Sequence, residues 1–464
     1  MPRESRNPST RTQRYRFGQG LRKACPRTAQ ATWKPRDDRV DPLDLLEESN
    51  DGRIPGLIPL RYARMAQSPF GFFRGSAIIQ ARDLQGSPSS GVTVQLCGDC
   101  HLVNFGGFGT PERNLIFDIN DFDETFPGPW EWDVKRLVVS FILAARHRRF
   151  PELAGRDAVE AAVASYRERT AEYARMPILD VWYTQIDFQE LRAFFRRNAE
   201  AVAGLRQAES LASRRTSETL FPKLTTIRDG RATIVDNPPL VYHFHQYARE
   251  WDASMHAVFA RYRESMLDDR RQLFDRYDFQ DVAIKVVGVG SVGTRCTVAL
   301  FLADEADPLF LQAKEARRSV LESTQKKSLF AHQGQRVVLG QRLMQAASDI
   351  FLGWAEIPQS YDYYVRQLRD MKVSADVDAF DRKALVDYAR MCGWALARAH
   401  AKAGDAATVA GYLGAGDRFD RAMTRYAGAY ADQVERDYTA FIKAVRSGRF
   451  QIESGDFNEV EFLP

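Results

Sequence analysis

Nothing in this 464-residue chain approaches the roughly 18 consecutive apolar residues of a membrane span, and its basic start is not followed by the apolar stretch of about 7 to 15 residues that marks a secretory signal. Cysteine is sparse and odd in number. Cys25, Cys97, Cys100, Cys296 and Cys392 lie scattered through the chain, which suits reduced thiols and argues against a disulfide framework. No repeat of solenoid period is present, and no stretch has the spacing of an EF-hand. Large net charge is missing too, at +4. These absences exclude a membrane protein, a disulfide-stapled secreted domain and a repeat array. They point to a cytoplasmic protein of one composite fold.

The charge that is present is unevenly spread. Residues 1–40 hold eleven Arg or Lys against Glu4, Asp37 and Asp38, or +8, which leaves −4 for the rest. With Pro, Ser, Thr and Gln throughout and no apolar periodicity, this arm reads as a disordered, solvated tail, favoured over a nucleic-acid arm. Beyond it, the spacing predicts a mixed stretch leading to a strand at Val92–Leu96 and a second apolar run at Leu115–Phe117. Helices follow from Trp132 to about Met266, interrupted near Lys223–Pro239, then short strands from Val282 to Leu311. Long helices at Arg382–Ala403 and Arg418–Val445 close the chain.

Cys97-Gly98-Asp99-Cys100-His101-Leu102-Val103-Asn104 sits where a strand ends and sets a carboxylate and an amide five residues apart in one loop. Asp121 follows seventeen residues after Asn104, among Asp118, Asp123 and Glu124. Phosphoryl transfer to a hydroxyl needs a carboxylate that orients the acceptor and takes its proton, together with hard oxygen ligands for magnesium. Asp99 suits the first role, and Asn104 with Asp121 the second, with Asp118 as the alternative metal ligand. The same residues also spell a c-type haem attachment pattern and a thioredoxin-like Cys-x-x-Cys. The first lacks an export signal. The second should open a helix, whereas Asn104–Gly109 reads as a loop. A plain acidic turn is the bland alternative for Asp118–Glu124.

Val287–Gly293 contains Gly-x-Gly-x-x-Gly at Gly288, Gly290 and Gly293. In a dinucleotide fold the third glycine opens a helix, but Thr294–Leu302 is rich in β-branched residues, so two strands joined by a glycine turn are expected over phosphates. A further strand, Leu309–Lys314, ends on a lysine 21 residues after Gly293, suited to pairing a nucleotide's phosphates. Glu322 is the nearest candidate in a following helix to hold that lysine, Glu315 is adjacent to it, and the role stays open. Tyr363–Arg369 reads as a strand and hinge, with Gln367 and Leu368 beside an adenine. Arg61, Arg64 and Arg74 suit phosphate or an acidic substrate, though structural ion pairs are their ordinary reading.

The two loops resemble the catalytic and metal loops of aminoglycoside and choline phosphotransferases. Their His-Gly-Asp-x-His-x-x-Asn is matched from Gly98 onward, with His101 in place and Cys97 replacing the leading His. The resemblance implies that Asp133, about twelve residues after Asp121, braces the catalytic loop. The order of segments, with both loops before the glycine turn and Lys314, implies a circular permutation. The expected fold is therefore α+β, a two-lobed protein-kinase-like fold, circularly permuted. It would comprise a basic arm (1–40), loops and helical lobe (41–270), a small antiparallel sheet lobe (271–372) and returning helices (373–464). From about Asp41 onward the chain also resembles the bacterial domain of unknown function 2252. That match rests on Arg61–Met65, Ser68–Phe70, Phe73–Gly75, Gly98–Gly106, Phe117–Glu124 and Gly288–Arg295. The expected activity is ATP- and magnesium-dependent phosphotransfer to an unknown hydroxyl acceptor. A pseudokinase-like binding module and AMP transfer from the same site are the alternatives.

Overall fold

Apolar side chains recurring every three or four residues dictate long helices with a buried stripe. The structure, a computed structural model, describes residues 10–243, 248–322, 327–357, 361–368 and 371–452. Helix Glu131–His147 is buried along nearly its whole length and lies on helix Glu152–Tyr173. That helix in turn packs along Arg382–Ala403, so closely that a side chain at Gly393 would meet the Ala162 carbonyl at 2.0 Å. Arg418–Arg446 covers the group with an inward stripe that includes Phe419, Met423, Tyr430 and Phe441.

Period-two alternation builds the other half. Six strands form an antiparallel sheet in the order Gly353–Ile357, Tyr361–Gln367, Pro308–Glu315, Cys296–Leu302, Asp278–Lys285 and Val241–Tyr242. Leu309, Leu311 and Ala313 pack with Met255, Val258 and Tyr262 of helix Ala248–Glu264, while Phe310, Val298 and Leu300 pack with Leu220 on the opposite face. Lys314 follows the parity of Phe310 and so projects from the face away from that helix.

Smaller antiparallel pairings carry the loops. Thr93–Leu96 pairs with Phe126–Pro129. Phe105–Gly109 lies between Leu115–Ile119 and Val373–Ser374. Among the described residues, no helix is long and apolar enough to cross a membrane.

Four expectations are corrected. Residues 10–40 are not a solvated tail: Arg11–Leu21 is a helix, its start closed by reciprocal bonds between Thr10 and Gln13. Its Gly18 rests on the Thr408 backbone, and Arg22 and Arg27 donate to the carbonyls of Tyr412 and Leu413 at the end of helix Ala406–Leu413. These two arginines thus serve a helix C-terminus, where cations are favoured, while Arg39 pairs with Asp83 and Asp437. Residues 1–9 lie outside the described residues. Phe105–Gly109 is a strand and not a loop, because Gly106 and Gly107 let the neighbouring strand and Phe188 approach. Glu322 is not in a helix; the next one begins at Gln333. The sheet also begins before residue 271, with Val241–Tyr242 at its edge. Arg369, at the end of the expected hinge, lies outside the described residues.

Candidate functional site

The turn after strand Thr93–Leu96 depends on Gly98, whose φ is +92° and whose Cβ would meet the Glu124 carbonyl at 2.2 Å. Asp133, in the first turn of helix Glu131–His147, accepts hydrogen bonds from the N–H groups of Cys97 and Gly98 at 2.9 and 3.0 Å. His400 donates to the same carboxylate at 3.2 Å, and its other ring nitrogen meets the Tyr166 hydroxyl at 2.9 Å. The loop is thereby clamped from behind, and Asp99 is presented to a cleft.

Asp99 keeps 19% of its side chain exposed and accepts from Arg136 at 2.8 Å. Arg136 is itself fixed over the Phe73 ring and bonded to the Phe73 carbonyl and Gln80. Burial raises the Asp99 carboxyl above its ordinary value, against the pull of Arg136 and Arg74. His101 lies 3.7 Å from Asp99, and burial, reinforced by Arg74 and Arg136, holds it well below the ordinary histidine value. It is therefore neutral. Asn104 spends its amide N–H on the Asp99 carbonyl at 2.8 Å, which leaves the amide oxygen for a cation.

The acidic loop divides its carboxylates. Asp118 is sealed against Arg398 at 2.8 Å, with side-chain exposures of 1% and 0%, and also accepts from the Ala346 N–H. It is a structural ion pair and does not reach the cleft, which corrects its candidacy as a metal ligand. Asp121 and Asp123 both line the cleft. Lys314 donates to Asp123 at 2.7 Å and lies 3.9 Å from Asp121, and Tyr364 donates to Asp123 at 2.5 Å. Burial alone would raise Asp123, but Lys314 and Tyr364 hold it below the usual carboxylate value. Burial and the charge of Asp123 raise Asp121. Despite burial, Asp123, Tyr364 and Asp121 keep Lys314 well above its ordinary value. The acid that holds Lys314 is thus Asp123. Glu322 pairs with Arg318 at 3.2 Å, and Glu315 with Arg295 at 3.1 Å.

The glycine turn faces these loops. Gly288, Gly290 and Ser291 line a cavity of about 450 Å³ together with Asp99, His101, Asn104, Asp121 and Asp123. Gly288 and Gly293 have φ of +64° and +86°. Gly293 is not part of the lining. It turns the chain beside Arg53 and accepts from the Ile54 N–H at 2.7 Å. Arg64 donates to the Gly288 carbonyl. Arg61 is buried on Ser49, Asn50 and the Gly75 carbonyl, and burial pulls it down to about 10; it is a structural cation. Arg74 lines the cavity above the Phe70 ring.

A second cavity of about 350 Å³ shares Arg74, Asp121, Gly288 and Ser291 with the first. Its other lining includes Arg64, Arg215, Lys285, Lys314, Arg366 and Lys372. Burial, then Arg366 and Lys314, bring Lys372 down to about 7. Leu368 borders this cavity, but its N–H donates to the Phe310 carbonyl, while both the N–H and side-chain amide of Gln367 donate to Asp349.

Asn104, Asp121 and Asp123 line one cavity; Asp123 is held by Lys314 and Tyr364, while burial and the charge of Asp123 raise Asp121. Cys97 and Cys100 lie buried under the loop with thiols raised by burial, which suits neither haem attachment nor a reactive dithiol. Sequence reasoning missed Arg136, Tyr364 and the cations Arg215, Lys285, Arg366 and Lys372. Arg136 had a signal: three residues after Asp133, it shares that residue's helix face.

A family model described as an uncharacterized protein conserved in bacteria (DUF2252) matches residues 53–444. No curated protein and no solved structure matches the chain.

Proposed function

We infer the function of this chain, which belongs to the bacterial family DUF2252, from its cleft, and propose an ATP- and magnesium-dependent phosphotransferase of kinase-like type acting on a hydroxyl acceptor. The observation that carries the reading is a single cavity lined by Asp99, Asn104 and Asp121 on one side and by Gly288–Ser291 on the other, with Lys314 joined to Asp123 at its border.

In this reading Asp99 accepts the proton of the acceptor hydroxyl as its oxygen attacks the terminal phosphorus. Arg136 holds the carboxylate in one orientation and opposes the rise that burial imposes on it. Asn104, Asp121 and Asp123 would hold magnesium, which neutralises charge on the phosphates when bound. Lys314 exchanges its carboxylate for phosphate oxygens, and the glycine turn lets backbone N–H groups approach them. Neutral His101 adds no second positive charge at the proton acceptor.

A permuted kinase-like arrangement of lobes accords with the long-range contacts. Helix Arg382–Ala403, near the end of the chain, supplies Arg398 to Asp118 and His400 to Asp133, backing both loops that lie some 280 residues before it. One observation favours the rival binding module: Lys314 is held by Asp123 of the acidic loop and not by a helix glutamate.

Calorimetric titration of the full chain with ATP, with and without magnesium, tests the reading. Magnesium-dependent binding that Asp121→Asn weakens, with slow turnover, supports it. Binding without turnover leaves the module, and absence of binding removes both. Product analysis separates ADP from AMP-transfer chemistry.

A further inference from the structure

The cavity beyond Lys314 carries more positive charge than a nucleoside triphosphate needs. Its lining holds Arg64, Arg215, Lys285, Lys314, Arg366 and Lys372, with Arg74 at the shared edge, against Asp121 as the one carboxylate among the described residues. Three of these cations, Arg215, Arg366 and Lys372, form no ion pair among the described residues. Arg366 donates to Gln312 and the Asn120 carbonyl, and Arg215 to the Lys372 carbonyl, which leaves guanidinium N–H groups and the Lys372 ammonium for a ligand. Like charges gathered in a partly buried space repel, and an anion relieves them.

The same cavity is poorly furnished for a nucleoside. The N–H groups of Gln367 and Leu368, the strand-end residues expected beside an adenine, are already spent on the Asp349 carboxylate and the Phe310 carbonyl. Among the described residues, no lining carboxylate other than Asp121 is present to take ribose hydroxyls. Lys285, Lys314 and Arg366 come from three separate strands, so the positive charge extends along the cavity as a lining for a chain of oxyanions.

Resting on the phosphotransferase reading, we propose that this end of the cleft takes linear inorganic polyphosphate as a phosphoryl donor and grips it more tightly than ATP. The terminal phosphoanhydride P–O bond breaks as the acceptor O–P bond forms. The hydroxyl proton passes to Asp99, and the bridging oxygen leaves with its electron pair on a polyphosphate one unit shorter, so no further reactant is required. Burial first, then Arg366 and Lys314, lower Lys372 to about 7, and an anion beside it offsets both effects.

The test is magnesium-supplemented calorimetry of the full chain with three probes: ATP, tripolyphosphate and a longer linear polyphosphate. The expected result is a longer chain bound at least about tenfold more tightly than ATP and displaced by excess ATP, because both use Lys314. Lys372→Met should remove most of that advantage while changing ATP affinity less, and Lys285→Gln, which leaves Lys372 in place, should act in the same direction. If ATP binds as tightly as the long chain, or if heparin displaces polyphosphate as well as ATP does, the donor proposal falls while the phosphotransferase reading stands. If no probe binds in the presence of magnesium, both fall.

Discussion

The two cavities that meet at Asp121 and Arg74 differ in charge in a way that divides their chemistry. Among the described residues, the larger is lined by eight carboxylates and six arginines, and several of those arginines are already committed, Arg61 to backbone and amide oxygens and Arg318 to Glu322. Among the described residues, the smaller has seven basic side chains and one carboxylate. An acidic space suits proton acceptance and a divalent cation; a basic one suits phosphates. Lys314 and Asp123 stand at the seam, and their ion pair joins a residue of each lining.

Removing that seam should have the largest effect on binding. Lys314→Met is expected to weaken magnesium-dependent ATP binding by roughly a hundredfold, about 2.7 kcal/mol, measured by calorimetry. An unchanged affinity would separate the cationic cavity from the nucleotide altogether. Behind the acidic half, Arg398→Met leaves Asp118 buried without its partner, and a loss of about 3 to 5 kcal/mol in denaturant-derived stability is expected, as for other broken buried pairs. A loss confined to ATP binding, with stability intact, would instead return Asp118 to the cleft. Asp121→Asn should weaken ATP binding about tenfold in magnesium and much less without it.

A pH measurement addresses the acidic half alone. Burial raises Glu124 to about 7, from an ordinary 4.5. The folded protein therefore holds this proton more firmly than the unfolded chain, so the contribution to stability is full below the unfolded value and is lost as pH rises through about 7. Melting temperature should fall between pH 4.5 and about 7, and Glu124→Gln should flatten the fall, since the amide keeps an acceptor for the Val320 N–H. The smallest effect lies outside both cavities. Arg22→Ala removes a cation from the end of helix Ala406–Leu413 and should cost about 1 kcal/mol with no change in ATP affinity.

The parts of this arrangement that were legible in the sequence are local. Gly98, Asp99 and Asn104 belong to one loop, so their spacing alone brings them together, and the glycines ahead of a β-branched run point to a turn between strands. What could not be read depends on distant partners. Asp118 and Asp121 differ by three positions, yet only Arg398, in a helix near the other end of the chain, withdraws the first from the cleft. The acid for Lys314 was sought in the following segment because a helix glutamate was expected there; it sits 191 residues earlier, in Asp123. The arm was misread because composition records its arginines but not the helix end that receives them. The basic cavity was invisible for the same reason, since Arg215, Lys285, Arg366 and Lys372 come from four separate segments.

The account turns on Asp99 as the group that takes the acceptor's proton. Its most direct test is turnover of ATP by Asp99→Ala against the unaltered chain, with magnesium and with ATP binding measured on the same preparations. The account predicts turnover reduced on the order of 10² to 10⁴-fold with ATP binding retained. Turnover that survives the substitution unchanged would contradict it.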